Sequence, residues 1–184
     1  MREYTHSLIQ DIVPHDEKEE TDRSDALAWV ASDAPLYRIQ KPDVPPKHIV
    51  SYFAIFHPET NKILLQDHLL AHLWLPAGGH VEPDEDPADT VRREIIEELG
   101  IEADFLHDKP QFITVTKTQE QGEHTDVSLW YVVKSDPQAK LTIEPGKFAD
   151  VRWWDVDEVL ASPIELFDPE LHRFLNKLKA QQLI

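Results

Sequence analysis

The stretch that most constrains the fold is residues 79–101, GHVEPDEDPADTVRREIIEELGI, where a glycine-led loop runs into a helix with both ends written in the sequence. Asp86 is placed to accept a hydrogen bond from a free backbone N–H as N-cap, and Pro87 suits the first helical position. Asp89 adds negative charge at the positive end of the helix dipole. Ala88, Val91, Ile95 and Leu99 recur at spacings of three and four and make one apolar stripe. Gly100 ends the helix.

On such a helix Glu94, Glu97 and Glu98 fall at i, i+3 and i+4, beside the buried stripe. Like charges at this spacing repel by about a few tenths of a kcal/mol per pair on an exposed helix. A hard divalent cation reverses that sign. Mg2+ or Mn2+ takes carboxylate oxygens and commonly binds one or two carboxylates together with substrate phosphates. Arg93, next to Glu94, can hold a carboxylate with its planar pair of N–H groups. Without the preceding loop, a Glu-rich helix reads equally as a solvated face.

The loop carries the further information. From Gly79, five residues precede Glu85, seven more precede Arg93, and Arg93-Glu94-Ile95-Ile96-Glu97-Glu98-Leu99-Gly100-Ile101 follows. This order matches every fixed position of the Nudix box, and the chain resembles the Nudix hydrolases. The resemblance implies an enzyme cleaving a nucleoside diphosphate linked to another group, by attack of water on phosphorus with Mg2+ (or Mn2+) held by the box. It implies Glu94, Glu97 and Glu98 as metal ligands and Glu94 as a candidate base. Arg93 would orient the carboxylates, Glu85 would brace the loop or bind a further metal, and the Gly78 carbonyl would complete the coordination. Ala77 before Gly78-Gly79 is a mild departure from the family's usual glycine or proline there.

Outside the box the candidates multiply. His80 and Glu82 flank the glycine loop and are placed to contact substrate, while Glu120, Glu123, His124 and Asp126 lie in a later loop, with Glu144 and Asp150 behind them. Trp74, Phe112 and Trp130 can stack a base or simply fill the core. Relatives acting on ADP-ribose tend to carry a proline about sixteen residues past the box, and those acting on dinucleoside polyphosphates a tyrosine. Residues 116–119 are Thr-Lys-Thr-Gln. A nucleoside triphosphate pyrophosphohydrolase is therefore expected, with an ADP-ribose or nucleotide-sugar pyrophosphatase as the alternative. A non-catalytic nucleotide-binding sensor is the alternative of another class. Isopentenyl diphosphate isomerase, on the same fold, relies on a cysteine, and this chain has none.

A net charge of −17 disfavours a nucleic-acid polymer as partner, since those are met by basic patches. A small nucleotide-type substrate stays open, because a bound metal dominates the local field. The absence of cysteine fits a reducing compartment. Neither a signal-type apolar core nor a membrane-length apolar run is present, so a soluble cytoplasmic protein is expected, with a homodimer suggested by the family resemblance.

Along the chain, Tyr4, Leu8, Ile9 and Ile12 have helical spacing before Pro14. HDEKEETDRSD reads as a solvated connector or exposed helix start, with Ser24 or Asp25 capping a second helix through ALAWVAS. Residues 1–47 are thus expected to form a helical extension with a Pro-rich connector, and the resemblance makes 48–184 the Nudix hydrolase domain. HIVSYFAIF and KILLQDH read as a hairpin over 48–68, and HLWLPAGGH as one short strand into the loop. IEADFLH, QFITVTKT, DVSLWYVVK and VRWWDV read as strands with EQGEHTD as a loop. DVDEVLAS reads as a short helix capped by Asp155 or Asp157, and a last helix opens at Asp168-Pro169 with Leu171, Phe174, Leu175 and Leu178 as its stripe. Strands around one central helix, closed by C-terminal helices, give an α/β class. The resemblance makes it a Nudix-type α/β/α sandwich with a mixed β-sheet, plus the N-terminal helical extension.

Overall fold

The β-branched and aromatic run that starts at His48 forms a strand covered on both faces, β1 (Lys47–Phe56), in which His48 to Ser51 and Phe53 to Phe56 are all buried. It belongs to a computed structural model that describes residues 1–40, 44–102, 104–118, 124–136, 138–143 and 145–184. Two helices precede it, α1 (Arg2–Asp11) and α2 (Glu17–Ala31). After it come β2 (Lys62–His68), β3 (Leu73–Leu75), β4 (Ala77–His80), α3 (Pro87–Leu99), β5 (Asp104–Thr118), β6 (His124–Lys134) and β7 (Phe148–Asp155). The chain closes with α4 (Val156–Ala161), a 3-10 turn (Ile164–Leu166) and α5 (Leu171–Ala180). Hydrogen bonding orders the strands β3-β2-β1-β6-β5, with β4 also on β1 and β7 also on β2. Among the described residues no helix is long and apolar enough to cross a membrane.

Contacts gather the chain into two units, one of Met1–Tyr52, Gly78–Glu94 and His107–Tyr131, the other of Phe53–Ala77, Ile95–Leu106 and Val132–Ile184. In the first, α1 packs on α2 and buries Leu8, Ile9 and Ile12 with Ala26 and Val30. The Arg2 guanidinium donates to the carbonyls of Val30, Ser32 and Ala34 at 2.6–2.8 Å, answering orphan carbonyls at the end of α2 with a cation. The cap of α2 is Asp16, not Ser24 or Asp25. Its carboxylate accepts from the Glu19 N–H at 2.8 Å, and the Glu19 carboxylate accepts from the His15 N–H at 2.7 Å. The charged run is thus the first half of the helix; its apolar residues lie only in the second half, so no periodicity marks its start.

β5, starting at Asp104, joins the two strands expected over 101–107 and 111–118 into one. Pro110 lacks an N–H, but β5 ends the strand order, where a missing ladder donor is tolerated. Phe112 and Trp130 are buried, and Trp130 Nε1 donates to Thr114 Oγ1 at 3.1 Å. Both are core side chains rather than base-stacking ones. β6 begins at His124, two residues before the strand expected from Asp126, so His124 sits on the strand instead of in a loop.

In the second unit β2 pairs antiparallel with β7, placing Ile63 opposite Trp154 and Leu65 opposite Arg152. The hairpin expected over 48–68 closes at Ile55 opposite Leu64 and Phe56 opposite Ile63. Pro76 divides the single strand expected before the loop into β3 and β4. The stripe Leu171, Phe174, Leu175 and Leu178 is fully buried on α5. That helix starts after Pro169, where Asp168 accepts from the Glu170 N–H at 2.8 Å. Asp155 caps α4, accepting from the N–H groups of Asp157 and Glu158.

Gly100 ends α3 at φ 67°, in the left-handed region, and a Cβ there would stand 2.9 Å from the Thr142 Cβ. Gly100→Ala is therefore expected to lower unfolding free energy by about 1–2 kcal/mol, from the left-handed backbone alone. Urea denaturation of both proteins measures it, and an unchanged midpoint would contradict this account of the helix end.

Candidate active site

The box helix is fixed at its start. Asp86 Oδ1 accepts from the Ala88 N–H at 2.9 Å, and Ser51 Oγ on β1 donates to the Pro87 carbonyl at 2.7 Å within the interior. Ala88, Val91, Ile95 and Leu99 are all buried, so the expected stripe is the packed face. Glu94, Glu97 and Glu98 consequently stand at i, i+3 and i+4 of one helix.

In the first unit the loop and the helix meet through Arg93. Its Nε and Nη2 donate to the two Glu85 oxygens at 3.0 Å each, a bidentate pair, while Nη1 donates to Glu94 Oε1 at 2.5 Å. Nη2 also reaches the His80 carbonyl at 3.1 Å. Glu85 further accepts from Thr90 Oγ1 at 2.7 Å and from the Glu82 N–H at 3.0 Å. With its oxygens so engaged, Glu85 has the geometry of a loop brace. Glu82 enters through its backbone, and its side chain is exposed. The glycines are there for space: a Cβ on Gly79 would lie 2.0 Å from Glu94 Cδ, and one on Gly78 2.2 Å from the Tyr52 ring.

In the second unit Glu98 is 1% exposed. Its carboxylate accepts from Lys147 Nζ at 2.6 Å and from Gln66 Nε2 at 3.2 Å, so a buried negative charge is answered by a cation. Glu97 is exposed. Asp150 is exposed and accepts from the Val151 N–H. Trp74 packs on Trp154 at 5.2 Å and under the Arg152 guanidinium.

Among the remaining candidates, Glu120, Glu123 and Glu144 lie outside the described residues. His80 and Asp126 come together with His124 and with His48, a group able to hold a metal ion. Burial, with the Arg38 charge, pushes the His80 pKa down to about 4. Burial also opposes charge on His48, but Asp126 and the Pro45 carbonyl outweigh it and hold its pKa above the usual value. Sequence reasoning missed His48, Lys147 and Gln66. The signal for His48 was an imidazole opening an otherwise apolar strand; none marked Lys147 or Gln66, which sit far from the box in sequence.

A helix with three glutamates at this spacing, braced by an arginine to a glycine loop, defines a phosphoanhydride hydrolase of the Nudix type. The chain belongs to this family: the family model described as NUDIX domain matches residues 46–177. Nudix enzymes act on small nucleotide-type substrates and generally use a divalent metal. The chain is 31% identical over 106 residues to the CTP pyrophosphohydrolase of Escherichia coli (strain K12), covering 57% of this chain and 73% of that protein. It is 46% identical over 54 residues to the human protein nucleoside diphosphate-linked moiety X motif 6, covering 28% of this chain but 17% of that protein. Among solved structures, the MutT protein of Methanosarcina mazei Go1 superposes with a TM-score of 0.59 at 18% identity, over 74% of this chain and 96% of that one. That likeness establishes the mixed α/β fold.

Burial raises the Glu85 pKa, but the bonds from Arg93, Glu82 and Thr90 outweigh it and hold it below the ordinary 4.5. A depressed carboxyl pKa contributes stability above the unfolded-state value and loses it as pH falls through the folded one. Glu85→Gln is thus expected to be less stable than the parent at pH 7, with the gap closing as pH drops below about 4.5. Denaturation midpoints across that range test it; a gap constant in pH would refute the ionic brace.

Proposed function

We propose that this chain is a Mg2+-dependent (or Mn2+-dependent) nucleoside triphosphate pyrophosphohydrolase, releasing a nucleoside monophosphate and pyrophosphate, with CTP the first substrate to try. What carries this reading is the likeness to a CTP pyrophosphohydrolase across 73% of that protein, joined to an unbroken set of box glutamates. Glu94, Glu97 and Glu98, with the Gly78 carbonyl, would hold the cation. The donor set fits, being all oxygen, and the Lys147 ammonium on buried Glu98 supports a demand for positive charge there. When bound, the cation supplies neutralisation of charge on the phosphate oxygens.

The protein's own part is positional. Arg93 fixes Glu94, which would accept the proton of a water attacking phosphorus; the bridging P–O bond breaks and pyrophosphate leaves with the electron pair. Gly79 lets the backbone lie against Glu94 of the helix and Gly78 lets it lie against Tyr52 of β1, where any side chain would displace them.

Pyrophosphate release measured with Mg2+ and then Mn2+ across nucleoside triphosphates, ADP-ribose and nucleotide sugars tests the reading. Turnover of CTP or another triphosphate is expected, falling at least about 100-fold in Glu98→Gln. Gly79→Ala, which displaces Glu94, is expected to lose roughly 100-fold while staying folded. Preference for ADP-ribose or a nucleotide sugar would replace the substrate assignment, and bound nucleotide without turnover would replace the enzyme by a binding module.

A further inference from the structure

The first unit holds a second cluster that the hydrolase reading leaves unused. His48 on β1, His80 just after Gly79, and His124 and Asp126 on β6 each offer one ligand atom, and these atoms all lie within 4.8 Å of one another. His48 Nε2 is 3.0 Å from Asp126 Oδ1, and His124 Nε2 is 3.5 Å from the same oxygen. A tetrahedral zinc ion with Zn–N near 2.0–2.1 Å separates its ligand atoms by about 3.3 Å. The observed spacings bracket that figure, and the widest exceeds it by only about the range of a side-chain rotation.

Three further observations mark this as a built site. His48 is fully buried, and its Nδ1 is 3.0 Å from the Pro45 carbonyl; donating there, it turns Nε2 inward, the arrangement that normally orients a metal-bound imidazole. His48 Nε2, His80 Nε2 and Asp126 Oδ1 are buried atoms with no aligned hydrogen bond, although two of them are in contact distance. The backbone fastens the three contributing segments beside their ligands: the Val81 N–H donates to the Ile49 carbonyl at 3.1 Å, and the Thr125 N–H to the Pro46 carbonyl at 2.6 Å.

We propose that His48, His80, His124 and Asp126 form a zinc site, separate from the box glutamates, that fastens the glycine loop to β1 and β6. Three imidazoles and one carboxylate suit Zn2+ and not Mg2+, which takes oxygen ligands. Four protein ligands close the coordination sphere, as structural zinc sites do. The staple would act on the loop directly, since His80 supplies both a ligand atom and the carbonyl that Arg93 grips.

The test uses the full chain, stripped with chelator and titrated with zinc against a chromophoric competitor, with Co2+ substituted in parallel. One zinc per chain, intense visible bands of four-coordinate Co2+ that added zinc removes, and a raised melting temperature are expected. Asp126→Asn and His124→Gln, at partly exposed positions, should each bind zinc at least about tenfold more weakly, and Glu98→Gln should bind it as the parent does. Circular dichroism confirms that each variant is folded; were one not, the other variant and the parent Co2+ spectrum decide. Absence of stoichiometric uptake, uptake indifferent to both variants, or loss of zinc in Glu98→Gln would overturn the site. Zinc uptake is read without substrate, so its result stands apart from that of the turnover assay.

Discussion

The arrangement of the loop and helix in the first unit depends on one guanidinium. Arg93 answers two carboxylates and a carbonyl at once, and only its planar fork can do so; a lysine would offer a single mobile charge. The side chains are 26%, 16% and 13% exposed for Arg93, Glu85 and Glu94. That burial places the network above exposed pairs, worth about 0–1 kcal/mol, and below a fully buried pair, whose breaking costs about 3–5 kcal/mol. Without Arg93, Glu85 and Glu94 would remain as two carboxylates in a half-dry place, repelling each other. The brace therefore fixes Glu94 and the loop in the same act.

The glycines follow from the brace. Arg93 draws the His80 carbonyl and the Glu94 carboxylate toward itself, so the backbone between must run flush against the Glu94 side chain. Gly79 leaves the room that any Cβ would fill. Glycine here is a requirement of close approach, since neither Gly78 nor Gly79 has a left-handed backbone. Gly100 differs, being chosen for its φ of 67°.

Most of this was legible in the chain. The helix could be read from Asp86-Pro87 to Gly100, its stripe from four apolar residues, and its chemistry from the spacing of Glu85, Arg93, Glu94, Glu97 and Glu98, because all of those signals are local. The hairpin was equally legible, since period and turn residues lie within one short window. Asp16 escaped because a cap is recognised by the apolar periodicity that follows it, and α2 begins with charged turns. The strands expected over 101–107 and 111–118 were separated by Pro110, whose cost vanishes at a sheet edge that only topology reveals. Lys147 and Gln66 were illegible for a third reason, and His48 carried only the weak mark of an imidazole at the head of a strand. Each acquires its meaning from a partner brought up by the fold, and no spacing rule links Lys147 to a glutamate 49 residues away.

That lysine bears on how a strongly acidic helix can fold at all. A carboxylate that is 1% exposed carries a large desolvation cost unless a cation or several hydrogen bonds accompany it, and Lys147 with Gln66 supplies both. The Lys147 side chain is itself 34% exposed, so the pair joins a buried carboxylate to a partly solvated ammonium. Glu98 is thereby buried with a charged partner and an amide donor on its carboxylate. An arginine there would hold the same oxygens through a planar fork, where lysine offers a single point charge. The two cations thus divide the work by chemistry: arginine where several oxygens must be held in one geometry, and lysine where one buried carboxylate needs a charge.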